Sequence, residues 1–125
     1  MAPTTLKKRS EFLWVRGGHR WSAAAFVLEA RIRQKAEEAA TPARFGYTVS
    51  KKVGGAVVRN RVRRRLRALT AGLAPQQVKP GFDYVLIART AATARAFADL
   101  KADLDLALSR IHQAPGQKRR GQQKT

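Results

Sequence analysis

The chain has 125 residues, of which 44% are apolar, enough for one compact domain with its own core. Its charge is unusual, because 26 lysines and arginines stand against 8 acidic residues and give a net charge of +18. Such self-repulsion is costly unless a polyanion offsets it, so nucleic acid is the first partner class and an anionic membrane surface the second. The absence of cysteine excludes disulfides and cysteine-ligated zinc or iron–sulfur sites.

The N-terminal sequence MAPTTLKKRS lacks the apolar core of a signal peptide, and no apolar run approaches the roughly 20 residues that span a bilayer. We therefore expect a cytoplasmic protein without a membrane partner. Residues 1–5 and 113–125 are predicted to be flexible tails, since they hold almost nothing that could anchor them. Residues 6–112 then form a single domain.

The N-terminal half of this domain predicts a short helix and then a strand. The helix covers Ser10–Arg16, with Ser10 as its N-cap and Glu11 in its first turn. The segment Trp21–Arg33 is predicted to be one strand because β-forming residues lie at its centre. Residues 34–42 are polar and end in proline, which predicts a loop.

Three further elements follow from periodicity. The segment Phe45–Ser50 alternates between large and small residues, as a half-buried strand does, and Phe82–Ala88 is an almost continuous apolar run, as in an interior strand. Apolar residues recur at helical spacing over residues 94–112, which predicts an amphipathic helix covering one sheet face. Together with the helix considered next, the order is αββαβα, an α+β sandwich.

The stretch from Gly54 to Gly72, GGAVVRNRVRRRLRALTAG, holds six arginines between positions 59 and 67. At 100° per residue its apolar side chains form a compact stripe, while most of the arginines point away from it. This pattern predicts a helix docked on the core, with a basic face more than half a turn wide. The stripe consists of Val58, Val62, Leu66 and Leu69.

Two interpretations of the basic face are a solvated helix surface and a surface that binds nucleic acid. Solvated helices alternate the sign of their charges, yet no acid occurs from position 39 to 82, whereas ten basic residues do. The predominance of arginine also favours phosphate contact, because its planar guanidinium binds phosphate in a bidentate manner. The helix lacks the bulky apolar residues of a membrane-surface helix. Its neighbours are predicted strands, not a helix-turn-helix partner, which favours RNA over DNA.

The run TVSKKVGGAVVRNRVRRRLRAL, residues 48–69, closely resembles the signature of the bacterial ribonuclease P protein family, and the resemblance extends over residues 6–111. It implies an αβββαβα two-layer sandwich with a left-handed βαβ crossover, similar to the second domain of a small-subunit ribosomal protein. Three of those strands correspond to the ones predicted above. Residues 6–112 would then be a single RNA-binding domain.

The resemblance also implies a function. The protein would be the subunit of an endoribonuclease whose catalytic RNA, with Mg²⁺, removes the 5′ leader of precursor tRNA, and no small-molecule substrate is expected. The residues implied to bind the RNA subunit are Arg59, Asn60, Arg61, Arg63, Arg64 and Arg67. The residues implied to form the leader-binding cleft are Lys8, Phe12, Arg16, Thr48, Ser50, Lys51 and Lys52. No catalytic or metal-binding residue is expected on the protein itself, and Mg²⁺ would be held mainly by the RNA.

Two positions depart from the family pattern. Gly55 stands where the family usually has Asn or Lys, so the arginine-rich helix should lack a side-chain N-cap. Glu29 lies near where some members place a leader-contacting aromatic ring; a carboxylate cannot stack on a base, so Glu29 is not included in the site.

The remaining polar residues indicate no enzymatic site of their own. His19 and His112 are predicted to be surface residues, and Arg95 is expected to pair with Asp99. Two alternatives to the family's function remain open. The chain could be a small basic ribosomal or other structural RNA-binding protein, or a nuclease that acts without RNA.

Overall fold

The computed structural model describes residues 3–34 and 41–113. In these residues five strands form one mixed sheet, and three α-helices pack against it. The elements are β1 (Thr4–Thr5), α1 (Arg9–Arg16), β2 (His19–Ser22), β3 (Phe26–Ile32), β4 (Arg44–Thr48), α2 (Ala56–Ala71), β5 (Phe82–Ala88) and α3 (Phe97–Gln113). Two short 3₁₀ turns, Pro75–Gln77 and Thr90–Thr93, flank β5.

The strands lie in the order β1-β4-β5-β3-β2. β4 is parallel to both β1 and β5, whereas β3 is antiparallel to its neighbours β5 and β2. Since α2 joins the adjacent parallel strands β4 and β5, these three elements form a βαβ unit. The α+β class is confirmed, and the chain order is the αβββαβα of the family resemblance, preceded by the short strand β1.

The prediction of a single strand over Trp21–Arg33 is wrong. The segment is a hairpin in which β2 and β3 pair antiparallel, and the backbone N–H of Ala23 donates to the carbonyl of Phe26 at 2.8 Å to close the turn. The turn falls within three consecutive alanines, residues 23–25. Alanine lacks the turn-forming chemistry of Gly, Pro, Asn or Asp, so the sequence carries no signal for the break.

The predicted N-terminal tail is also partly wrong, because Thr4 and Thr5 form β1. The N–H of Thr4 donates to the carbonyl of Ala43 at 2.9 Å, and the N–H of Leu6 donates to that of Phe45 at 2.8 Å. The side chain of Leu6 is buried and holds this segment on the sheet. At the other end, Gln113 is the last residue of α3. The rest of the predicted C-terminal tail, and residues 35–40 of the predicted loop, lie outside the described residues.

The first helix begins at Arg9, one residue earlier than predicted, and Ser10 is not its N-cap. Glu11 caps it instead, since one carboxylate oxygen accepts the backbone N–H groups of Lys7 and Lys8, each at 2.9 Å. The bond from Lys8, with that from Lys7 and the charge of Arg44, lowers the pKa of Glu11. The carboxylate therefore stays charged at the positive end of the helix dipole.

The main core lies between the sheet and the layer formed by α2 and α3. Tyr84 is fully buried there, and its ring stacks on Phe45 at 4.9 Å between centroids. The Tyr84 hydroxyl accepts the N–H of Lys79 at 2.9 Å and lies 2.7 Å from Nε2 of His112. Burial, followed by the charge of Lys79, lowers the pKa of His112 to about 4, so the ring is neutral at neutral pH and shares a hydrogen bond with the Tyr84 hydroxyl. His112 is thus a half-buried part of the core and not a surface residue.

The opposite face of the sheet carries α1 and a smaller apolar cluster around Val15 and Val85. Beside this cluster Asp83 is almost fully buried and pairs with two arginines: Arg33, and Arg44 through bonds of 2.8 Å to both carboxylate oxygens. Arg44 also donates to Glu11 at 3.0 Å. This ionic network fastens the start of α1 to β4 and β5, and so fixes where α1 crosses the sheet.

Candidate RNA-binding surfaces

The predicted apolar stripe of α2 holds the helix to the core. Val62 and Leu66 are completely buried, Leu69 is almost so, and Val58 packs at the margin of the core. The opposite side of the helix faces outward and carries Val57, which is 84% exposed, and Asn60. The helical periodicity of the sequence therefore predicted the orientation of α2 correctly.

The entrance to α2 is a tight glycine turn. Gly54 has a φ of 157°, and a Cβ atom there would lie 2.8 Å from Cγ1 of Val58, so the turn requires glycine. Gly55 is the N-cap residue, and as expected no side chain caps the helix. The first turn contains no acidic residue, and nothing lies within 4 Å of where a Cβ of Gly55 would be.

Three arginines predicted to bind the RNA subunit form a row at four-residue spacing along α2. Arg59 donates to the carbonyl of Gly54 at 3.1 Å, and Arg63 donates to the side-chain oxygen of Asn60 at 3.3 Å. The guanidinium of Arg67 lies 5.6 Å from the centroid of the Tyr47 ring, a cation–π distance. Each of these partners is uncharged, so no acid among the described residues compensates the three positive charges.

Two other arginines of α2 reach toward the segment before α3. Arg61 donates to the carbonyl of Thr93 at 3.1 Å, and Arg65 donates to the carbonyl of Arg95. Arg61, which is exposed, thus both belongs to the predicted RNA-binding set and ties α2 to this segment. Arg64 is exposed on the same side of the molecule as the outward face of α2.

The acidic residues that the structure describes form their ion pairs elsewhere and none with the arginines of α2. Within residues 3–34 and 41–113 no ion pair includes an arginine of α2; the carboxylates that form ion pairs are Glu11, Glu29, Asp83, Asp103 and Asp105. The expected pairing of Arg95 with Asp99 is wrong, because Arg95 binds Asp103 at 2.6 Å. One helical turn further along α3, Asp103 presents its carboxylate to both Nε and Nη2 of this arginine.

A second surface lies on the α1 side of the sheet, where α1 leaves one end of the strands open. Strand register places four side chains in a row across this end, which we call the trough floor. Two of them are exposed hydroxyl residues at the ends of the row, and the central two are apolar and more buried. The floor consists of Thr48 on β4, Ile87 on β5, Val27 on β3 and Ser22 on β2.

Phe12 forms the wall of this trough. A Cβ atom on Gly46 would lie 2.5 Å from Cε2 of Phe12, so the ring rests directly on the glycine backbone of β4. Because Gly46 and Thr48 are two residues apart on one strand, they share a face, and the ring borders the floor. Arg16 follows Phe12 by one helical turn and is exposed on the same side of α1.

The other predicted leader-binding residues are divided between two places. Ser50, Lys51 and Lys52 lie two to four residues after the floor residue Thr48, in a turn closed by bonds from the N–H groups of Val53 and Gly54 to the carbonyls of Ser50 and Lys51. Both lysines are exposed. Lys8 lies instead at the β1 edge of the sheet, in a shallow depression shared with Thr5 and Arg44. The structure thus brings most of the predicted cleft together and sets Lys8 apart.

Sequence reasoning missed three of the four floor residues: Ser22, Val27 and Ile87. A correctly predicted hairpin would have found them, because register then follows from the alternation of buried and exposed residues. With β2 and β3 merged into one strand, that alternation could not be assigned to a face.

Comparison with known proteins identifies the family of this chain. The family model described as Ribonuclease P matches residues 2–112. The chain belongs to the ribonuclease P protein family. It is 44% identical over 110 residues to the ribonuclease P protein component of Ruegeria pomeroyi, covering 87% of this chain and 86% of the relative. The component from Erythrobacter litoralis is 41% identical over 118 residues, covering 94% of this chain and 93% of the relative.

Solved structures of the family share the fold. The ribonuclease P protein of Thermotoga maritima superimposes with a TM-score of 0.70 at 26% identity, covering 86% of this chain and 96% of that one. The protein of Staphylococcus aureus gives a TM-score of 0.68 at 26% identity, covering 85% and 93%. Ribonuclease P proteins are subunits of an endoribonuclease, so this chain is a subunit of such an enzyme. No helix among the described residues has the length and apolar character needed to cross a membrane.

Proposed function

We propose that this ribonuclease P protein binds the catalytic RNA through α2 and the single-stranded 5′ leader of precursor tRNA in the trough. It thereby assists the Mg²⁺-dependent endonucleolytic step that produces the mature 5′ end of tRNA. The observation that carries the proposal is the charge of α2: six arginines lie within nine positions of this helix, and none pairs with an acid among the described residues.

The α2 face suits a structured RNA. A guanidinium that binds only neutral local groups keeps free N–H donors and full charge for phosphate oxygens. The row Arg59, Arg63 and Arg67 follows one side of the helix with a rise of about 6 Å between neighbours, since the helix advances 1.5 Å per residue. Such a row can contact successive phosphates of a folded backbone, and structured RNA is recognised mostly through its shape and phosphates.

The trough suits a single strand of RNA. The centre of its floor is apolar, and Phe12 beside it offers the edge or face of a ring to a base. The cations at its margins are Lys51, Lys52 and Arg16. Unpaired bases stack on aromatic side chains, and the backbone follows a positively charged groove. The turn of Lys51 and Lys52 leads directly into α2, so an RNA bound to the helix and a leader in the trough would lie side by side.

The chemistry of phosphodiester hydrolysis fits the RNA subunit better than this chain. Among the described residues no group of three or more His, Cys, Asp or Glu is placed to hold a metal ion. Glu29 and Glu11, on the α1 side of the sheet, are each bound to arginine, an arrangement that does not favour Mg²⁺ binding. We therefore propose that Mg²⁺ is held mainly by the RNA and that the protein contributes binding and positioning.

The test is cleavage of a precursor tRNA by a bacterial ribonuclease P RNA at low Mg²⁺, with and without the protein. We expect the protein to raise kcat/KM for the leader-bearing substrate, while the protein alone, freed of RNA, cleaves nothing. Absence of stimulation would contradict the proposal and favour a structural RNA-binding protein. Cleavage by the RNA-free protein would contradict the assignment of catalysis to the RNA subunit and would indicate that the protein is itself a nuclease.

A further inference from the structure

Arg20 and Glu29 form an ion pair at the β2 end of the trough. They face each other in the register of β2 and β3, and Nη1 of Arg20 donates to Oε2 of Glu29 at 3.1 Å. The side chain of Glu29 is only 4% exposed, whereas that of Arg20 is 47% exposed. Arg20 is two residues from the floor residue Ser22 on the same strand, so both lie on the trough side of the sheet.

Glu29 binds Arg20 and lies within electrostatic range of Arg16. Burial raises the pKa of the Glu29 carboxyl, while the charges of Arg20 and Arg16 act against that rise. Arg16 lies in the last turn of α1 and Arg20 on β2. A buried carboxylate that holds a guanidinium orders a side chain that would otherwise be mobile in solvent, here that of Arg20.

The other N–H groups of Arg20 make no hydrogen bond within the described residues. Arginine carries five N–H donors, and the one contact that Arg20 makes is to Glu29. Two positive charges share one negative charge here, so the cluster is net positive at the end of a groove. A phosphate oxygen is the ligand that such a cluster fits, because it accepts several N–H groups at once.

We propose that Arg20 and Arg16, with Arg20 oriented by Glu29, bind a phosphate of the single-stranded leader at the β2 end of the trough. The proposal rests on the proposed function, because it assigns a further contact to the same substrate. The floor spans about 14 Å from β4 to β2, since neighbouring strands lie about 4.8 Å apart. The β4 end of the trough adjoins the turn into α2, where the catalytic RNA is proposed to bind, so Arg20 at the β2 end would contact a nucleotide farther from the cleavage site than the one beside Lys51 and Phe12. A leader of a single nucleotide would not reach it.

The experiment measures the affinity of the reconstituted holoenzyme for two precursor tRNAs, one with a long single-stranded leader and one with a leader of a single nucleotide. Arg20→Ala is expected to weaken binding of the long-leader substrate about five- to tenfold, as for one charge-assisted contact, and to leave the short-leader substrate unchanged. The slope of log affinity against log salt should fall by about 0.7 for the long leader. Arg110→Ala, an equal change of charge at an exposed position on α3, is the matched control and should alter neither.

The role of Glu29 as a positioning residue is tested with Glu29→Gln and the double variant Arg20→Ala/Glu29→Gln. The double variant contains no unpaired buried carboxylate, so it also guards against loss of folding in Arg20→Ala. If Glu29 orients Arg20, removing Arg20 costs less than about twofold in the Glu29→Gln background. An equal cost in both backgrounds would overturn the positioning role.

Equal weakening of both substrates by Arg20→Ala, or no weakening, would overturn the phosphate site. The preference of the wild-type holoenzyme for the long leader is measured first. This measurement separates failure of the phosphate site from failure of the whole leader-binding function. Absence of that preference contradicts the proposed leader-binding function together with this site, whereas a preference that survives Arg20→Ala contradicts the site alone.

Discussion

Gly46 and Phe12 are the pair of residues on which the shape of the trough depends. The ring of Phe12 occupies the space where any larger residue at Gly46 would place its Cβ atom, 2.5 Å from the ring. Phe12 can border the trough floor only because β4 carries a glycine at this point. The absence of a side chain at Gly46 thus determines the position of the Phe12 ring.

Gly46→Ala should therefore displace the Phe12 ring. We expect a loss of about 1–3 kcal/mol in the free energy of unfolding, typical of an overpacked site, and weaker binding of leader-bearing precursor tRNA by the holoenzyme. Binding of the RNA subunit alone should not change, because α2 lies on the other face of the sheet. Urea unfolding and filter binding measure the two effects.

The matched control is Gly72→Ala at the end of α2, where a Cβ meets nothing closer than 3.7 Å. It should behave as wild type in both assays. A Gly46→Ala holoenzyme that retains its full affinity for the leader would show that Phe12 does not contact it.

At the scale of elements, the turn between β4 and α2 joins the two proposed RNA surfaces. Its two glycines have different roles. Gly54 adopts a backbone conformation that side chains rarely allow and packs against Val58, whereas Gly55 has open space around it and an ordinary φ of −74°. The first glycine is needed for the direction of α2, and the second is not.

The same substitution at each position separates these roles. Gly54→Asn should lower the free energy of unfolding by about 1–3 kcal/mol, through backbone strain and the contact with Val58. Gly55→Asn should raise it by a few tenths of a kcal/mol, since Asn is a favourable N-cap residue. Urea denaturation of both variants measures the difference. Equal effects at the two positions would contradict this account of the turn.

Sequence periodicity predicted the elements whose residues alternate or recur strongly. The stripe of α2, the strand Phe82–Ala88 and the helix α3 follow from it, because one face of each must be buried. The hairpin of β2 and β3 and the short strand β1 could not be predicted. The turn of the hairpin lies in three alanines and β1 consists of two threonines, so neither the turn nor β1 leaves a pattern in the sequence.

The candidate site was predictable where a motif fixed it and less so elsewhere. The arginines of α2 and the residues after Thr48 were identified from the resemblance to the family, and no observation of the structure tests their roles. The partners of Glu29 and Arg95 depend on which strands and turns are neighbours in space. Such neighbours are set by strand register and tertiary packing, so a linear sequence does not reveal them.

At the scale of the whole molecule, charge is distributed unevenly. Ion pairs join α1, β4 and β5 to one another and β2 to β3, and two further pairs lie within α3 or at its start. None among the described residues includes α2. Six of the 26 basic residues of the chain thus lie on one helix that has no acidic partner among the described residues. A surface of this kind carries electrostatic self-repulsion that an RNA backbone relieves.

The most direct measurement of this account is the salt dependence of binding to the ribonuclease P RNA, for wild type and for Arg59→Ala/Arg63→Ala/Arg67→Ala. If the row of three arginines contacts phosphates, the slope of log affinity against log salt should fall by roughly two to three units in the variant. The triple change of Lys101, Arg110 and Lys79 to Ala removes equal charge from other exposed positions and should lower the slope far less. An unchanged slope in the α2 variant would contradict the claim that this helix is the phosphate-binding surface.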